Sequence, residues 1–111
     1  MRNRTKSIDI IKRDNLLVEL LLDHKGKDNA LSRYEIANYL SKKNFPTKSQ
    51  TVHSIIGKIM IERHLPICSL NGKGYYWAKT KADILSCIEH LQSRVDSLTE
   101  HIEHLKNFIM E

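Results

Sequence analysis

Long apolar runs are scarce in this chain of 111 residues. The best of them, Leu16 to Leu22, is interrupted by Glu19 and falls well short of the roughly 18–20 residues that cross a bilayer. The basic start, Met-Arg-Asn-Arg-Thr-Lys, leads into no apolar stretch with a small-residue cleavage site, so no secretory signal is expected. Cysteine is nearly absent. Cys68 and Cys87 alone make neither a disulfide framework nor a metal cluster, and they fit a reduced, cytoplasmic protein in which each is a small, semi-buried apolar residue. Four glycines and two prolines argue against a long disordered segment. No phosphate-cradling GxxxxGK(S/T) loop and no catalytic constellation is found, so neither an enzyme nor a cofactor is expected. Of the six histidines, His90, His101 and His104 invite a metal reading, but exposed helix histidines are far commoner and no metal is expected.

Basic charge is plentiful by comparison. Lys and Arg number 18 against 13 Asp and Glu, a formal net charge of +5. Residues 1–79 hold 15 basic and 7 acidic residues, hence +8, and residues 80–111 hold 3 and 6, hence −3. A basic body followed by a mildly acidic tail points to two separate jobs.

Residues 1–9 read as a basic arm carrying Arg2, Arg4 and Lys6, a frayed terminus or a reach toward phosphates. From Ile10 to about Asp23 apolar residues recur at helical spacing, with Gly26 as the stop. Ser32 and Glu35 form a capping-box pattern for a second helix, whose buried stripe is Ile36, Ala37 and Leu40 and which ends before Pro46. Thr47 and Gln50 repeat the pattern for a third helix over 48–64, with Val52, Ile55, Ile56 and Ile59 facing inward. Two β-prone runs, Pro66 to Leu70 and Tyr75 to Lys79, flank Asn71-Gly72-Lys73-Gly74 and predict a hairpin. Asn29-Ala30-Leu31 permits a short third strand. Thr80 and Asp83 open a long helix that runs to the C-terminus.

Helix, short turn, helix and hairpin in that order resemble the winged helix-turn-helix of the biotin-repressor N-terminal type. The resemblance is carried by Leu31 to Leu40, Thr51 to Ile56 and Leu65 to Tyr76, and it covers about Ile10 to Lys79. The turn Asn44-Phe45-Pro46-Thr47 departs from the pattern by lacking the glycine often found there. The fold implied is mainly α (α+β): a winged helix-turn-helix over 10–79 with a small hairpin wing, then a C-terminal dimerisation helix over 80–111. Such domains occur in small regulators and replication proteins of phages and plasmids. The resemblance therefore implies a non-enzymatic protein that binds double-stranded DNA.

In that frame the third helix enters the major groove, and residues opposite its buried stripe face the bases. Those are Gln50, Ser54, Gly57 and Ile61, with Ser49, His53 and Lys58 on the flanks. The Gln50 amide can pair bidentately with adenine, and Lys48, Ser49, Ser54 and Lys58 are suited to phosphates or bases. Gly57 either lets a backbone approach closely or packs on a neighbouring element. Asn71 and Lys73 on the wing, over 66–79, reach flanking phosphates or a minor groove, and Arg2, Arg4 and Arg33 complete the expected DNA-binding set. Alternation sends one or two of Tyr75, Tyr76 and Trp77 beneath the hairpin; an aromatic platform for single strands is the other use for them.

The tail carries the cleanest periodicity. Ile84, Ile88, Leu91, Val95, Leu98, Ile102, Leu105 and Ile109 are spaced 4-3-4-3-4-3-4. With β-branched residues at a and mainly leucine at d, this is a two-stranded coiled-coil pattern and predicts a homodimer, with parallel and antiparallel pairing both open. The turns around Ile84, Leu85 and Ile88 are expected to pack back on the body as well. The alternative function is a winged-helix protein-interaction module that the coiled coil oligomerises.

Overall fold

In the computed structural model, which describes residues 2–70 and 74–109, the helices start and stop for reasons written in their flanking residues. The first, α1 (Arg2–Leu22), already begins at Arg2 rather than Ile10. Residues 2–9 of the expected basic arm are therefore an extension of the helix, since no proline or glycine interrupts the chain before Gly26. Gly26 takes φ +84 and donates its N–H to the Trp77 carbonyl at 2.9 Å, which turns the chain into a 3-10 turn, Lys27–Asn29.

Ser32 caps α2 (Arg33–Lys42) as expected. Its hydroxyl accepts from the Glu35 amide at 3.1 Å, and its own amide donates to the Glu35 carboxylate at 3.0 Å. These bonds hold the Glu35 carboxyl below its ordinary range. The far end of α2 closes on Asn44 at φ +72, with Phe45 N–H bonded to Leu40 O at 2.9 Å and Asn44 N–H to Ser41 O at 3.1 Å. Asparagine thus occupies the left-handed position that glycine usually fills in such a C-cap, and the missing glycine costs the turn nothing in geometry.

The second capping box does not form. The Thr47 hydroxyl donates to Phe45 O at 2.7 Å instead, so α3 (Ser49–Glu62) starts one residue later, with Lys48 at its N-cap and no side chain on its free amides. At its other end His64, at φ +55, turns the chain out of the helix, and Leu65 N–H bonds Met60 O at 2.9 Å.

Two strands follow, β1 (Ile67–Leu70) and β2 (Gly74–Trp77), paired antiparallel with Ile67 opposite Trp77, Cys68 opposite Tyr76 and Ser69 opposite Tyr75. The pairing puts alternate residues to work on opposite sides. Ile67, Tyr75 and Trp77 meet the main core of Leu17, Leu21, Ile36, Leu40, Val52, Ile56 and Ile59, while Ile55 is half-buried at its margin. Cys68 and Tyr76 meet Cys87 of the last helix in a second, smaller cluster. The permitted third strand reduces to one bridge, in which Leu31 and Tyr75 exchange both backbone bonds at 2.8 Å.

Gly74 makes that approach feasible. It sits at φ +126, and a Cβ built on it lies 2.3 Å from the Leu31 carbonyl oxygen.

The last helix, α4 (Lys81–Ile109), is capped by Asp83, whose carboxylate accepts from Lys79 N–H at 2.8 Å and Thr80 N–H at 3.3 Å while its amide donates to the Thr80 hydroxyl. It rests on the hairpin through Cys87, while Ile84, Leu85 and Ile88 are 39%, 51% and 53% exposed. The protein is mainly helical, with one hairpin and a long C-terminal helix, and no described helix is long and apolar enough to cross a membrane.

Candidate nucleic-acid interface

The buried side of α3 fixes what its other side offers. Val52, Ile56 and Ile59 are inside, so Gln50, Ser54 and Ile61 lie on the exposed side. Gly57 shares that side, and a Cβ added to it meets nothing within 4 Å. Of the two uses weighed for Gly57, packing on a neighbouring element is overturned, because that space is open. Lys48 and Lys58 are exposed, and Ser49 is half-buried. Upstream, Lys42 and Lys43 crowd the end of α2, the latter with its ammonium 5.6 Å from the Tyr39 ring centre. From residue 42 to residue 64 five basic residues face a single acid, Glu62.

His53 is exposed but not free. Its Nδ1 is hydrogen-bonded to the Tyr75 hydroxyl at 3.1 Å, which ties α3 to β2 across 22 residues of sequence. Burial raises the Tyr75 phenol above its usual value, and Arg33 and Arg94 nearby pull the other way. Arg33 of α2 thus lies near enough to Tyr75 for its charge to act on the phenol. It also stacks on Tyr34, with its guanidinium carbon 5.0 Å from the ring centre and Nη2 donating to the hydroxyl at 3.0 Å. That bond, more than any other influence, raises the Arg33 pKa above its usual value.

Tyr34, Tyr75 and Arg94 had no place in the sequence-based site. Tyr34 was hidden because its only cue was to follow Arg33. Tyr75 was hidden because its partners come from two other elements. Arg94 was hidden because it lies on α4, far in sequence from the helix read as facing DNA.

Asn71 and Lys73 lie outside the described residues, as do the side chains of Arg2 and Arg4, although both arginines belong to α1. Of the three hairpin aromatics, Tyr76 is 2% exposed, and Tyr75 and Trp77 are half-buried against the main core. A flat aromatic platform for single strands is accordingly not what the hairpin presents.

The second exposed face belongs to α4. All eight residues of its heptad stripe are exposed, from 39% at Ile84 to 84% at Ile109. At the hairpin contact itself, Cys68 and Cys87 are free thiols buried side by side, and burial together with the neighbouring Cys87 pushes the Cys68 thiol up to about 12. Cys68 is thus a neutral packing group at ordinary pH. The described residues contain no cluster of three or more His, Cys, Asp or Glu suited to a metal ion.

Comparison with family models, with curated proteins and with solved structures finds no match to this chain.

Proposed function

We propose that this chain is a winged helix-turn-helix protein that binds double-stranded DNA as a homodimer, without catalysis. The observation that carries the proposal is the outer side of α3. It is exposed at Gln50, Ser54 and Ile61, bare at the half-buried Gly57, and accompanied by exposed Lys48 and Lys58. A helix so arranged on a body of charge +8 is suited to the major groove, where backbone cations supply affinity and side-chain amides supply choice.

The roles follow from position. Gln50 reads a base. Lys48, Ser49, Ser54 and Lys58 hold phosphates or neighbouring bases, and His53 buttresses the hairpin through Tyr75. The α3 amides left uncapped at Lys48 favour a phosphate there. Arg33 adds a cation from α2, Asn71 and Lys73 serve the flanking backbone or minor groove as the wing, and Arg2 and Arg4 contribute to the basic surface. The stripe of α4 pairs with the same stripe of a second copy, so two basic bodies are carried on one axis and add their affinities. With the resemblance to phage and plasmid proteins, the cellular role is transcription regulation or replication in the cytoplasm.

A gel-shift titration of the full chain against mixed-sequence duplex at two salt concentrations tests this. Binding that weakens steeply with salt is expected. A dimer that binds no duplex at low salt overturns the proposal, and it favours the protein-interaction module, for which exposed Ile61 and Tyr34 are the supporting surface.

A further inference from the structure

Ile61 is unexplained by folding. It is 74% exposed, and among the large apolar side chains of the described residues only Ile109, in the final turn of α4, is more so. It belongs to no core cluster and to no part of the α4 stripe. Yet it is aligned with Gln50. At 100° per residue, Ser54, Gly57 and Ile61 fall within about 40° of Gln50 around the helix, so the four form one line. Eleven residues at 1.5 Å each give the line a length of about 16 Å, the rise of about five base pairs.

We infer that α3 selects A·T pairs at both ends of this line, through Gln50 on adenine and through Ile61 on the 5-methyl group of thymine. The inference rests on the DNA-binding reading above and names the base composition that this surface prefers. Thymine alone among the four bases presents a methyl group in the major groove, and an isoleucine can offer a base edge nothing but apolar contact. An amide at the other end matches the donor and acceptor of adenine, and the Ser54 hydroxyl between them accepts any base. Gly57 keeps the middle of the line flat, with open space where a side chain would stand the helix off the bases. The surrounding charge has the right sign for the occupant. Lys48 stands at the N-cap of α3 and Lys58 beside the line, both exposed, while Arg63 turns away to bond Asn15 of α1, so a phosphate-lined groove is the complementary surface.

The test compares duplexes that differ by the methyl alone. The full-length chain is titrated by fluorescence anisotropy with alternating dA-dT, alternating dA-dU and alternating dG-dC duplexes. Wild type is expected to bind dA-dT at least about fourfold more tightly than dA-dU, the value of one buried methyl. Ile61→Ala, at an exposed position, is expected to bind the two equally. Gln50→Ala is expected to keep the dT-over-dU preference while losing only part of the preference over dG-dC, the part that the amide supplies. Equal wild-type affinity for dA-dT and dA-dU overturns the inference and leaves the DNA-binding reading standing. So does a preference that survives Ile61→Ala. Failure to bind any of the three at low salt defeats the DNA-binding reading, and the inference with it.

Discussion

The outer side of α3 and the stripe of α4 are both lines of exposed residues on a helix, and they differ in everything else. The α3 line is short and mixes an amide, a hydroxyl, a bare glycine and one isoleucine among lysines. The α4 line runs for eight apolar residues without a break, on a helix whose outer positions include Glu89, Asp96, Glu100 and Glu103. An uninterrupted apolar line finds its match in another apolar line, because only that removes it from water. A punctuated polar line in a basic setting finds its match in a surface with both charge and hydrogen-bonding edges. The hairpin stands between the two helices, with Tyr75 bonded to α3 and Tyr76 packed on Cys87 of α4, so one small sheet keeps the two surfaces apart.

The strongest way to break the contrast is to give α4 the character of α3. Val95→Glu with Ile102→Glu puts charge at two a positions, and the chain is expected to become a monomer by light scattering. Duplex affinity should then fall by roughly 10²-fold through lost bivalency. An intact dimer would place the interface elsewhere. Gly74→Ala attacks the partition instead. Its left-handed backbone and the Leu31 carbonyl in the way are expected to cost about 2–3 kcal/mol in urea unfolding. An unchanged midpoint would show that the hairpin is not held against Leu31 in solution.

Within α3 the contrast sharpens to single residues. Gln50→Ala is expected to remove about 1–3 kcal/mol of discrimination between sites, measured on a selected sequence against mixed duplex. Lys58→Ala should weaken all duplexes alike and lower the salt slope by about one. Uniform loss in both variants would contradict the division of roles.

The smallest effect belongs to the support beneath them. Ser32→Ala should destabilise the fold by about 1 kcal/mol through the lost α2 cap. Because the folded Glu35 carboxyl lies below its usual 4.5, its contribution is fully present above that value and is lost as pH falls through the folded pKa. Acid unfolding of Glu35→Gln should therefore show a weaker dependence on pH in that window than wild type.

Sequence disclosed best whatever depends on near neighbours. The α4 stripe is a one-dimensional pattern, and the caps at Ser32 and Asp83 involve residues three apart, so all were legible. The same logic failed at Thr47, where an equally local rival, the Phe45 carbonyl, takes the hydroxyl. It failed at residues 1–9 because a run of basic residues looks like an arm whether or not it is helical. What joins the candidate site was out of reach. His53 meets Tyr75 across 22 positions, Arg33 approaches the same tyrosine from α2, and Cys68 finds Cys87 beside the hairpin. None of these pairings has a period or a spacing to betray it. The attachment of α4 through Cys87 was hidden for a related reason, since Cys87 lies beside the heptad stripe and outside its count.

Sedimentation of a fluorescent duplex with the full chain tests both surfaces in one measurement. Two chains bound per duplex site at low salt, released together as salt rises, is the predicted result. One chain per site, or a dimer that sediments apart from the duplex, would contradict it.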